Sequence, residues 1–105
     1  MAVNAVSLET PEGYLLHWED WTEAWTRQKA QAQGLVLEPL DWQLFAFARE
    51  FYQVHQVMPL TRRLIKFVRE TQPNFDSLAL QQRYGDKPLR VIAQCAGLPK
   101  PIQCI

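Results

Sequence analysis

The sequence predicts a mainly α fold: a small orthogonal helical bundle with an N-terminal β-hairpin and a flexible C-terminal arm. Three observations carry this. Apolar residues recur at three- and four-residue intervals along most of the chain, the pattern of amphipathic helices. Pro39, Pro59, Pro73 and Pro88, with Gly34, Gly85 and Gly97, fall between those segments, where such residues start or stop helices. The last residues include Pro99 and Pro101, which forbid both helix and central strand.

The hairpin is expected within residues 1 to 18. Ala5-Val6-Ser7-Leu8-Glu9 alternates, Thr10-Pro11-Glu12-Gly13 is turn chemistry, and Tyr14-Leu15-Leu16 returns. A first helix follows over about Trp21 to Gln33, with Asp20 as N-cap, Glu23 in a capping box and Gly34 beyond its end. Trp21 and Trp25 share a face with Gln28, while Arg27, Lys29 and Gln31 point to water. Trp18, Trp21 and Trp25 read either as a staple between hairpin and bundle or as a binding surface.

A second helix runs from Pro39 to about His55, with Trp42, Phe45, Ala48, Arg49 and Tyr52 at helical spacing. It is apolar almost all round from Trp42 to Ala48, so it is the expected central core helix. Pro59 opens a third helix to about Glu70, with Leu60, Leu64, Ile65 and Val68 as its apolar stripe. Arg62 and Lys66, four apart, share its exposed edge. A fourth helix is expected from Phe75 to Arg83, capped by Asn74 or Asp76, and a fifth from Pro88 to Ala96. Val91, Ile92 and Cys95 share one face of the fifth, so Cys95 reads as a small buried hydrophobe.

Composition bounds the function. The chain has 105 residues, 48% hydrophobic and 21% charged, an ordinary globular mixture for one domain over 1–105 with 97–105 as its arm. Formal net charge is zero, so the molecule as a whole is not an electrostatic nucleic-acid binder. No apolar run is long enough to span a membrane, and no secretory signal pattern opens the chain. A cytoplasmic location with reduced thiols is expected. There is no CxxC or Cys/His cluster, so no metal is expected. Without a phosphate-binding glycine loop or a GxSxG motif, no cofactor is expected either. His17 and His55 read as surface or cap residues.

The tail carries the most specific chemistry. Leu98 and Lys100 precede prolines and are pushed to extended geometry. At about 3.1 Å per residue, Leu98 to Cys104 reaches roughly 19 Å. Gly97 ends the last helix at positive φ and sets the arm's direction. Pro99, Lys100 and Pro101 then position Cys104, a thiol presented near the tip. Lys100 favours its thiolate and a nearby carboxylate disfavours it, so activation is expected inside a partner's site.

Gly97-Leu98-Pro99-Lys100-Pro101-x-x-Cys104-Ile105 resembles the C-terminal signature of the DsrC/TusE family. Glu12-Gly13-Tyr14-Leu15, Pro39-x-x-Trp42, Arg49-x-Phe51-Tyr52 and Pro59-x-x-Arg62-x-Leu64-x-Lys66 fit the same pattern, so the resemblance covers nearly the whole chain. It implies a DsrC-like fold and a carrier whose penultimate cysteine, Cys104, accepts sulfur as a persulfide and hands it on.

The family's dissimilatory branch carries a second cysteine eleven positions before the penultimate one; here that position is Ala93, and Cys95 stands nine before Cys104. The chain therefore resembles the one-cysteine TusE branch. That likeness implies a sulfurtransferase in a relay for tRNA wobble-uridine 2-thiolation. The implied donor is a TusBCD-like complex, and the implied acceptor an MnmA-like thiouridylase with tRNA. Two alternatives stay open. One is a DsrC-type redox partner of sulfite reductase, which needs a Cys95–Cys104 disulfide and Cα atoms within about 7 Å. The other is a helix-turn-helix regulatory or DNA-binding module built on the second and third helices. Arg62, Lys66 and Arg90 read either as a docking or anion-binding set that guides the arm or as solvated surface.

Overall fold

Five α-helices carry the fold in the computed structural model, which describes residues 9–101. They are α1 (Glu23–Ala32), α2 (Pro39–His55), α3 (Thr61–Arg69), α4 (Ser77–Tyr84) and α5 (Pro88–Ala96), preceded by a short 3₁₀ turn at Trp18–Asp20. α2 and α5 start at their prolines as expected, because a first helical residue needs no N–H donor. The first helix starts later than expected. Thr22, not Asp20, caps α1, its hydroxyl accepting from the Trp25 N–H at 3.3 Å. Asp20 is taken up by the 3₁₀ turn, where its N–H donates to the His17 carbonyl at 2.9 Å. Likewise α3 begins at Thr61 rather than Pro59; Pro59 is buried and Leu60 is extended at the N-cap. Leu60 is therefore 45% exposed and leaves the apolar stripe to Leu64 and Val68. Asp76 caps α4 by accepting from the Ala79 N–H at 2.9 Å.

The expected β-hairpin is not supported: no strand occurs among the described residues. Its outer arm, before Glu9, lies outside them. What remains is one antiparallel bridge between Glu9 and Leu15. It closes a turn in which the Gly13 N–H donates to the Thr10 carbonyl at 2.9 Å and the Thr10 N–H to the Tyr14 carbonyl at 2.8 Å. Two-stranded ribbons are marginal alone. Tyr14 and Leu15 are instead buried in the helical body.

The central helix is α5, not α2. It packs against α1, α2 and α4, and Ile92, Ala93, Gln94, Cys95 and Ala96 are all buried. Three of these are small side chains, so neighbours approach closely from several directions, and dense packing follows. α2 contributes Leu44, Phe45 and Ala48 to the same core. Trp25 is buried, with Trp18 and Trp21 partly so, which fits the staple reading. Lys29 does not point freely to water. It pairs with Glu9 at 2.9 Å, and its ammonium lies over the Trp25 ring, 5.1 Å from the centroid, a cation–π contact.

One buried polar cluster ties the elements together. Asp41, fully buried, accepts from Arg83 Nε at 2.8 Å, from Arg83 Nη2 and from the Tyr84 hydroxyl. It also accepts from the Glu38 N–H at 2.8 Å, completing a capping box at the start of α2. Burial pushes the Asp41 carboxyl up, but the hydrogen bonds from Arg83 and Tyr84 outweigh it and hold the group below the usual carboxylate range. The same bonds push the Arg83 guanidinium up.

Candidate functional site

α5 ends where the arm begins. Gly97 has φ +74°, the left-handed region that only glycine enters without cost. The Leu98 N–H donates to the Ala93 carbonyl at 2.9 Å and the Gly97 N–H to the Gln94 carbonyl at 3.4 Å, a Schellman motif. A Cβ on Gly97 would stand 2.5 Å from Trp21 Cδ1. Leu98 is fully buried. The arm thus leaves the body at Pro99, one residue later than an arm extended from Leu98 would.

Side chains from α1 and α2 also bond the carbonyls of this helix end. Trp25 Nε1 donates to Gln94 O at 2.7 Å, and the Thr26 hydroxyl to Cys95 O at 2.7 Å. Trp21 Nε1 donates to the same hydroxyl at 2.8 Å. Arg49 Nη1 donates to Ala96 O at 3.0 Å, and its Nη2 to Trp18 O at 3.0 Å. The guanidinium lies 4.8 Å from the Trp21 ring centroid and 5.3 Å from that of Trp18, a cation–π sandwich. Burial pushes the Arg49 pKa down. The sequence reads Trp25 as a staple or binding-surface residue and gives Thr26 no role. Arg49 lies in the Arg49-x-Phe51-Tyr52 pattern, but nothing local says that its partner is a helix end 47 residues away.

Beyond Leu98, Pro99 is partly buried and Lys100 exposed. Lys100 Nζ pairs with Glu12 Oε2 at 3.0 Å, and that hydrogen bond raises the lysine pKa. Pro101 is the last described residue; Cys104 lies outside them. Lys100 and Pro101 border a groove of about 640 Å³ that also takes in Glu12, Tyr14, Thr61 and Arg90. Arg62 and Lys66 line a different, shallower depression with Thr61, Ile65 and Arg69. Arg90 therefore borders the groove at the arm's base, while Arg62 and Lys66 border the other depression, with Thr61 common to both.

Cys95 is closed to chemistry. It is fully buried, and burial pushes its thiol up to about 12, with the charge of Asp41 adding to the effect. A thiol without its thiolate form is a poor nucleophile. Among the described residues no cluster of His, Cys, Asp and Glu is arranged to hold a metal ion. No helix there is long and apolar enough to cross a membrane. What the site offers is a rigid, fully hydrogen-bonded base on which a short proline-braced segment is mounted.

Comparison with known proteins gives this arrangement its relatives. The family model described as "DsrC like protein" matches residues 2–105. The "Sulfurtransferase TusE homolog" of Haemophilus influenzae is 34% identical over 106 residues, covering 98% of this chain and 97% of its own length. "Sulfurtransferase TusE" of Sodalis glossinidius is 32% identical over 108 residues, covering all of both chains (100% each). Among solved structures, the NMR structure of Allochromatium vinosum DsrC superposes with a TM-score of 0.78 at 30% identity, covering 92% of this chain and 88% of that one. The crystal structure of the oxidized gamma-subunit of the dissimilatory sulfite reductase (DsrC) from Archaeoglobus fulgidus shares the fold, with a TM-score of 0.77 at 24% identity over 90% of this chain and 89% of that one. With the family model spanning residues 2–105 and relatives matching end to end, the chain belongs to the DsrC-like protein family.

Proposed function

We propose that this protein is a sulfur carrier, a sulfurtransferase that works within a relay. Residues 1–105 act as one carrier domain and 97–105 as its arm. The Cys104 thiolate attacks the outer sulfur of a donor persulfide. The new S–S bond forms at Cys104, the donor's S–S bond breaks, and the donor leaves as a thiolate. An acceptor thiolate then attacks the outer sulfur on Cys104 and releases the Cys104 thiolate. Sulfur moves at constant oxidation level, so no outside oxidant or reductant is needed.

The observation that carries this reading is the state of Cys95. The chain has two cysteines, and Cys95 is sealed in the core with its thiol pushed up to about 12. That leaves Cys104 as the working sulfur. The TusE names of the full-length relatives support the same assignment. Gly97, Pro99, Lys100 and Pro101 aim the arm, and the anchoring of Gly97 and Leu98 supports that role. Burial of Cys95 weighs against the sulfite-reductase reading, which needs a Cys95–Cys104 disulfide.

The finer reading is a place as the last carrier before tRNA thiolation in the cytoplasm. A TusBCD-like complex donates, and an MnmA-like thiouridylase, with tRNA, accepts. Arg62 and Lys66 form the docking edge for that acceptor; neither is in an ion pair among the described residues. The test is a reconstituted transfer from the sulfur-loaded protein to such a thiouridylase and tRNA. Formation of 2-thiouridine supports the assignment. Release of the sulfur only to sulfite reductase overturns it.

A further inference from the structure

We infer that the groove at the base of the arm binds a small tetrahedral oxyanion, a phosphate or a sulfur oxyanion, held by the Tyr14 hydroxyl, the Arg90 guanidinium and the first-turn N–H groups of Thr61 in α3 and Leu89 in α5. Tyr14 is the first ground. It is only 4% exposed, and it lines the groove. Its hydroxyl has no hydrogen-bond partner among the described residues, yet it is not sealed off, since no buried side-chain donor or acceptor is left unpaired. The charges that act on it belong to Arg90, Glu12 and Lys100, all of them on the groove wall. The hydroxyl therefore faces the groove. Burial raises its pKa, so it remains a donor at neutral pH. A donor that opens onto a groove from an otherwise buried side chain, with no protein partner among the described residues, is free to bond a ligand or water there.

Two helix starts converge on the same space. Thr61 is the first residue of α3 and Pro88 the first of α5, and both border the groove. Neither helix has a side-chain cap, whereas Thr22 and Asp76 cap α1 and α4. Pro88 has no N–H and the Arg63 and Arg90 N–H groups donate to the Leu60 and Lys87 carbonyls, so the groove meets the free Thr61 and Leu89 N–H groups, which with the helix dipoles favour an anion. Arg90 and Lys87 add positive charge, and neither is in an ion pair among the described residues. Glu12 and Asp86 oppose it on the rim, Glu12 being held by Lys100. That opposition makes the site weak and selective for ligands small enough to sit below the rim.

This site does not depend on the sulfur-carrier reading; the Cys104→Ser protein, unable to load sulfur, still binds the anion. The test is an NMR titration of the full chain with inorganic phosphate, sulfate and thiosulfate, ionic strength held constant with chloride. The expected result is saturable shifts of the Thr61, Leu89 and Arg90 amides. Tyr14→Phe and Arg90→Gln each weaken binding about tenfold. Arg27→Gln, the same charge change elsewhere, has no effect. The anion that saturates earliest distinguishes a phosphate from a sulfur ligand. Linear, unsaturated drift, or equal weakening by Arg27→Gln, overturns the proposal. Should Tyr14→Phe unfold the protein, exposed Arg90 alone decides the matter.

Discussion

Arg49 donates from α2 to the Ala96 carbonyl at 3.0 Å, bracing the helix end from which the arm departs. The same guanidinium holds the Trp18 carbonyl at 3.0 Å, so one side chain joins the N-terminal segment to α5. Arg49→Ala leaves both carbonyls without this donor. Each such loss costs about 1–3 kcal/mol when the group stays buried, so urea unfolding is expected to show destabilisation of about 3 kcal/mol. Arg49→Lys recovers only part of this, because an ammonium cannot reproduce the planar fork.

Gly97 tolerates no side chain. Gly97→Ala forces a left-handed residue and sets a Cβ 2.5 Å from the Trp21 ring. Left-handed strain adds about 1 kcal/mol, and overpacking about 1–3 kcal/mol. Thermal unfolding is expected to show a loss of about 2 kcal/mol or more, with a change in tryptophan fluorescence.

Asp41 makes stability depend on acid. Its carboxyl is held below the ordinary value of 3.8. Its contribution is therefore fully present above that value and is lost as pH falls through the lower folded-state value. Stability measured by denaturant at stepwise lower pH is expected to fall steeply below about pH 4. Asp41→Asn removes much of that acid limb. At neutral pH it costs about 3–5 kcal/mol, because Arg83 is left without its buried partner.

Cys95 and Cys104 are expected to differ in reactivity. Native protein treated with iodoacetamide at mildly alkaline pH takes up one label, on Cys104, because the Cys95 thiol is pushed up to about 12 and is fully buried. Peptide mapping checks this. Cys95 labels only after denaturant is added.

The helices were legible because their signals are local. Pro39 and Pro88 mark starts, Gly97 marks an end, and 3.6-residue spacing marks the faces. The burial of Cys95 followed from its position with Ile92 on one face of α5. The hairpin is not supported among the described residues, where Tyr14 and Leu15 are buried among helices and alternation in so short a ribbon competes with that burial. Asp20 failed as a cap because a 3₁₀ turn claimed it. The hub role of α5 was hidden, since small residues such as Ala93 and Ala96 give a weak hydrophobic signal while permitting the closest packing. Arg49 at Ala96, Trp25 at Gln94 and Asp41 at Arg83 are long-range pairings that no local pattern encodes. The sequence offers Arg62, Lys66 and Arg90 as one set, but the fold puts Arg90 on one depression and Arg62 and Lys66 on another.

The most direct test is intact-mass analysis after incubation with a persulfide donor. The wild-type protein and Cys95→Ser are predicted to gain one sulfur atom, reversible by a thiol reductant, and Cys104→Ser to gain none. Full loading of Cys104→Ser, or loss of loading in Cys95→Ser while the protein stays folded, contradicts the account.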